Sequence, residues 1–127
     1  MAAPSRTRPG TSTRTCGLPI GGIGPKSITN TNFSSINESI RIWAWKNGCN
    51  MNKLYQDLPD VDPNDNTTIT KEYYTSCTQG NDVVFYRVNY GGHTWPSGFS
   101  TLSLSYVGNV SWDISANHEI INFFNSH

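Results

Sequence analysis

The apolar positions fall into two helical patterns separated by two β-type runs. Ile36, Ile40, Trp43 and Ala44 recur at helical spacing and define one apolar face. Ser35 followed by Glu38 has the capping-box pattern, and Gly48 supplies a stop, so a helix is predicted over 35–47 with Trp43 in its core-facing stripe. The stretch from Leu54 to Asn66 is dominated from Asp57 onward by Pro, Asp and Asn, which predicts a loop. Thr67 to Tyr74 is β-prone and roughly alternating. Val83 to Val88 is the strongest strand signal, and its continuous apolar character predicts cover on both faces. The two runs pair as a hairpin across 75–82, with a turn region at Gly80-Asn81. A long segment rich in Ser, Gly, Leu and Tyr, 97–110, is expected to be flexible. Ile114 to Phe124 closes the chain as an amphipathic helix, with Ser115 as N-cap and Ile120, Ile121, Phe123 and Phe124 as its buried side. No internal repeat is present. Helix, loop, strand pair and helix make a thin layer, so an apolar strand wanting two covered faces implies that part of a larger α/β fold is missing.

Residues 1–26 break the pattern. They are rich in Pro, Gly, Ser, Thr and Arg and contain no acid, which predicts disorder. Arg6, Arg8 and Arg14 are too sparse to make a convincing basic binding tail. The full 127 residues suffice for one small domain. Nine basic and nine acidic residues give no net charge, so a nucleic-acid partner is not expected. No apolar run reaches the length of a membrane span, and no signal-peptide core stands at the start. The expectation is therefore either a cytosolic protein or a chain whose true N-terminus lies upstream. Cys16, Cys49 and Cys77 are an odd set, leaving at least one thiol unpaired within the chain. Pairing Cys49 with Cys77 would close a loop of about 28 residues, worth roughly 3–4 kcal/mol, and would imply an oxidising compartment. Three free thiols fit the sequence equally well.

Candidate chemistry centres on His93, in the run Gly91-Gly92-His93-Thr94-Trp95-Pro96 just past the strong strand. Imidazole titrates near neutral pH and can take and return a proton, and the glycines allow positive φ and close approach to a ligand. The competing reading is a turn histidine that bonds only its own loop. His118 is expected to be exposed in the first turn of the last helix, and His127 to fray. Neither has metal-ligand spacing, and no metal or cofactor is predicted. Asp60, Asp62, Asn64 and Asn66 echo the alternating oxygens of a calcium loop. However, Asp65 stands where the turn glycine belongs and Lys71 where the bidentate glutamate belongs, so a solvated turn is expected. Among Trp43, Trp45, Trp95 and Trp112, Trp95 is the one expected in a cleft. Four Asn-x-Ser/Thr sites, at Asn32, Asn37, Asn66 and Asn109, are attributable to composition. A Gly-x-Ser-x-Gly nucleophile elbow is lacking, no acid precedes Glu38, and Gly21-Gly22-Ile23-Gly24 follows no convincing strand.

Taken together, several segments resemble the secreted polyhydroxybutyrate depolymerase and feruloyl-esterase-like family. Trp43-Ala44-Trp45-Lys46-Asn47-Gly48-Cys49 is similar to its W-A-x-x-N-G-C segment, and Thr75-Ser76-Cys77 to its later cysteine. Gly91-Gly92-His93-Thr94-Trp95-Pro96 is similar to its histidine loop, and Asp113-Ile114-Ser115-Ala116 with Phe123-Phe124 to its closing helix. The match runs in order from about residue 19 to 127. It implies an α/β fold, the C-terminal portion of an α/β-hydrolase with an incomplete sheet, spanning 19–127. It also implies a Ser-His-Asp serine esterase cleaving polyester or aryl-ester bonds in polyhydroxybutyrate or plant polysaccharide. His93 would be the catalytic histidine, Trp95 would line the substrate cleft, Cys49 and Cys77 would be a disulfide, and the protein would be secreted. The family's acid segment is not found. Pro19 and Gly21-Gly22 resemble its tail, but no Asp stands near Thr15, so 1–18 are expected to be a disordered or non-native lead. Without nucleophile and acid, this chain alone is expected to be inactive. A non-catalytic carbohydrate-binding module using Trp and Tyr, and a folding remnant without activity, are the alternatives.

Overall fold

A computed structural model describes residues 34–126 of the chain. The predicted disorder of 1–26, the lead 1–18, Asn32, Cys16 and His127 lie outside the described residues. The order is α1 (Ile36–Lys46), β1 (Leu54–Asp57), β2 (Thr68–Tyr74), β3 (Val83–Asn89), α2 (Leu104–Val107) and α3 (Ala116–Asn125), with one 3₁₀ turn at Thr78–Gly80 inside the hairpin.

The helix α1 follows its sequence signals at the C-terminus and departs from them at the N-terminus. Gly48 takes φ 65 beyond the Asn47 cap. Its N–H donates to Trp45 O and that of Cys49 to Ala44 O, the paired bonds of a Schellman closure. At the other end Ser35 is the N-cap, but its side chain makes no cap bond. Glu38, the expected reciprocal partner, is instead held by Arg41 through a bidentate pair at 2.7 and 3.0 Å. Ala44 is fully buried, whereas Trp43 is 61% exposed, which corrects its placement in the core. Successive helical residues are rotated by about 100°, so the sheet receives the Ile40–Ala44 row and Trp43 turns away from it.

The sheet has the order β1-β2-β3, and both pairings are antiparallel. This overturns the expected α/β-hydrolase portion: among the described residues no two strands run parallel, and no crossover joins strands through a helix. The reason is local. A short connection closes Tyr74 onto Val83, and a connection of that length can only reverse the chain. β1 was expected to be loop. Its four residues are all exposed and carry no burial pattern, and they are held by the ladder to β2 from Leu54↔Tyr73 to Asp57↔Thr70.

Alternation assigns the two sheet faces. Val83 and Tyr74 pack with Ile40, Ala44, Cys49 and Cys77 beneath α1. On the same face Glu72, 3% exposed, accepts from Lys53 Nζ and Arg87 Nε, each at 2.7 Å, and Arg87 Nη2 reaches Asn37 Oδ1. Burial pushes the Glu72 carboxyl up, but the Arg87 and Lys53 hydrogen bonds outweigh it and hold it below the ordinary carboxylate range. Ile69, only 1% exposed, lies on the opposite face with Val84, Tyr86 and Val88, toward α3. Every residue of β3 is thus half-buried, with a helix on each side. The covering by α3 is loose. Ile120, Ile121 and Phe124 are 44%, 59% and 73% exposed, so of the expected buried side of this helix only Phe123 is half-buried.

A disulfide joins Cys49, just past α1, to Cys77, just past β2. No helix among the described residues is long and apolar enough to cross a membrane.

Candidate functional site

His93 follows β3 by four residues, and the chain reaches it through a turn carried by Tyr90, φ 59. Gly91 and Gly92 do not take positive φ. Each makes room for a close neighbour, and a Cβ on Gly91 would meet the Val88 side chain. A Cβ on Gly92 would meet Val107 O at 2.0 Å and Gly108 C at 2.5 Å. Only glycine lets the two backbones approach so far, and the approach is used: Gly92 N donates to Asn109 O at 2.8 Å and His93 N to Val107 O at 2.6 Å. Thr94 Oγ1 adds a bond to Asn109 O. Ser97 N bonds Ser111 O, and Ser97 Oγ bonds Ile114 O. The histidine loop is therefore clamped along its backbone by the 107–114 segment, and the segment expected to be flexible contains α2 and supplies the clamp.

This clamping leaves the imidazole exposed, with no side-chain hydrogen bond to any described residue. The competing reading, a histidine that bonds its own loop through its side chain, does not describe this residue. Nor does a carboxylate among the described residues orient it. Asp113, the buried acid nearest in sequence, spends Oδ1 on the backbone N–H groups of Val61 and Asp62, at 2.7 and 3.1 Å. Asp113 Oδ2 faces the hydroxyl of Thr67, which donates at 2.8 Å to Ser111 Oγ. Asp65 does the same work nearby, accepting from Thr67 N and Trp112 N. Asp62 Oδ1 accepts from Asn64 N, so the acidic loop uses its carboxylates as internal caps.

Trp95 stands two residues beyond His93, 53% exposed, with its indole N–H on Asn117 Oδ1 at 3.1 Å. It lines a groove of about 470 Å³ between β3 and α3, with Thr94, Val84, Val88, Ile114 and Phe123 among the other walls. Trp95 is thus one wall of an apolar groove. His93 itself is not among the groove's lining residues. One polar pair sits in this apolar space: Tyr86 donates to Glu119 Oε2 at 2.5 Å. Burial first, then the bond and charge of Glu119, push the Tyr86 phenol far above its ordinary value, so it stays a donor. Sequence reasoning missed this pair. The signal available was Tyr86 in the alternation Val84-Tyr86-Val88, which puts a hydroxyl on an otherwise apolar face. Cys49 and Cys77 lie apart from the groove, under α1. His118 is exposed in the first turn of α3, its N–H on the Ser115 cap.

No family profile, no curated protein and no solved structure matches this chain.

Proposed function

We propose that this chain is the histidine-carrying part of a secreted serine esterase acting on polyester or aryl-ester bonds. The observation that carries the reading is the state of His93: its backbone is fixed by Val107 and Asn109 through the neighbouring glycine, while its ring is exposed and unbonded to the described residues. A relay histidine needs that combination of a held position and free ring nitrogens. The motif resemblance and the Cys49–Cys77 disulfide, which fits an oxidising compartment, support it further. In this reading one ring nitrogen of His93 takes the serine hydroxyl proton as the oxygen attacks the ester carbonyl. It returns that proton to the departing alcohol. Trp95 holds the apolar part of the ester at the groove. Serine and acid come from a portion outside this chain.

The test begins with the coding DNA upstream of residue 19. A continuous or shifted frame encoding Gly-x-Ser-x-Gly and then an Asp segment is expected. The joined protein should hydrolyse p-nitrophenyl acetate and lose about 10⁴-fold or more in His93→Ala. Absence of such a frame, or a joined protein indifferent to His93→Ala, overturns the proposal. Exposed Trp95 favours one second reading, a carbohydrate-binding module. Calorimetric sugar binding that survives His93→Ala and fails in Trp95→Ala would select it.

A further inference from the structure

Of the four Asn-x-Ser/Thr sites, the structure distinguishes three. Asn37 has its Oδ1 engaged by Arg87, within the Glu72 ion network. Asn109 is half-buried, with Nδ2 on Tyr90 O and its carbonyl accepting two bonds from the histidine loop. Asn66, exposed like Asn37 but outside any ion network, stands at φ 59 on the turn of the acidic loop, a conformation Asn tolerates better than most residues. Its Nδ2 makes one bond, to Asn64 O at 3.1 Å, and carries a second hydrogen to spare.

Opposite Asn66 lies an apolar surface. A cleft of about 570 Å³ has Asn66 and its loop on one wall and Phe99, Leu102, Leu104 and Trp112 on the other. Phe99 is 99% exposed, Leu102 61%, Leu104 56% and Trp112 45%. Apolar side chains clustered in water usually mark something that covers them. We propose that Asn66 is an N-glycosylation site and that its first sugars lie in this cleft against Phe99 and Trp112. One face of a pyranose ring presents only C–H bonds, which pack on the electron-rich face of an aromatic ring. The disulfide is compatible with the kind of compartment where this modification is made.

In the reaction, Asn66 Nδ2 attacks C1 of the N-acetylglucosamine of a polyprenyl-diphosphate-linked oligosaccharide. The N–C1 bond forms, the bond from C1 to the diphosphate oxygen breaks, the polyprenyl diphosphate leaves, and one amide proton goes to a base. Nδ2 keeps its other hydrogen.

Cell-free translation of the full chain, with a leader appended, into microsomes reads occupancy before folding matters. A mass shift removable by endoglycosidase and mapped to Asn66 is expected, lost in Asn66→Gln and Thr68→Ala and kept in Thr68→Ser. Protein secreted from yeast then tests the cleft. Removing the glycan should lower the melting temperature by about 4 °C or more, and Phe99→Ala should at least halve that loss. An unmodified Asn66 in microsomes overturns the site. A glycan whose removal leaves melting unchanged overturns its seat on Phe99.

Discussion

Reduction of the Cys49–Cys77 bond is the perturbation whose size follows most directly from the structure. The bond closes a loop with a sequence separation of 28 and ties the end of α1 to the end of β2. Releasing that loop restores about 3.6 kcal/mol of chain entropy to the unfolded state. The loss falls where little else compensates. The core beneath α1 comprises Ala44, Cys49 and Tyr74, edged by Ile40, Cys77 and Val83, so the bridge supplies one core member and one residue of its edge. For a domain of this size each kcal/mol is worth about 4–8 °C, so reduction should lower the melting temperature by about 14–29 °C. Thermal unfolding followed by circular dichroism, with and without a phosphine reductant, measures it. A Cys49→Ala/Cys77→Ala variant in the absence of reductant should melt near the reduced protein. A shift under about 4 °C in both experiments would show that α1 is held by something other than this bridge, and the reasoning would fail.

Three further outcomes are expected. Glu72→Gln should cost about 2–3 kcal/mol, because Lys53 and Arg87 lose the carboxylate between them but keep some access to water. The folded-state carboxyl lies below the ordinary value, so its contribution is present above about pH 4.3 and lost as pH falls through the lower folded value. Acid titration of stability should therefore be flatter in Glu72→Gln than in the parent, and equal acid limbs would refute the ion network. Gly92→Ala puts a methyl group 2.0 Å from Val107 O and should destabilise by at least about 1–3 kcal/mol in urea unfolding while moving the His93 ring resonances; unchanged values for both would refute the close approach. Asp113→Ala removes the acceptor for Val61 and Asp62 N–H and should cost about 2–3 kcal/mol in the same assay, against a negligible cost if the loop were solvated there.

The parts of this fold legible in the sequence are those governed by neighbours along the chain. The helix stop at Gly48, the hairpin Thr68–Asn89 and the Ser115 cap, which accepts from His118 N, all rest on bonds spanning few residues or on simple alternation. What was illegible depends on distant partners. β1 exists only because β2 offers an edge, and the four residues of α2 sit in a segment with no periodicity. The exposure of Trp43 could not be read from helical spacing, since that spacing defines a stripe without saying how much of it the sheet covers. The Gly91-Gly92 pair points to close approach without saying to what: Gly92 makes room for the Val107 and Gly108 backbone, and Gly91 for the Val88 side chain. The reversal between β2 and β3 is legible in the two β-prone runs, whereas the α/β-hydrolase class rests on a resemblance and on the apolar run of β3, and the wholly antiparallel sheet among the described residues overrules it.

Asp113 and Asp65 between them grip the amides of Val61, Asp62, Thr67 and Trp112, drawing together stretches some fifty residues apart. Segments fastened in this way do not loosen one at a time. In deuterated solvent those four amide protons should be replaced at a common rate, as one opening event, because letting go of either carboxylate frees the acidic turn and the run that braces His93 in a single motion.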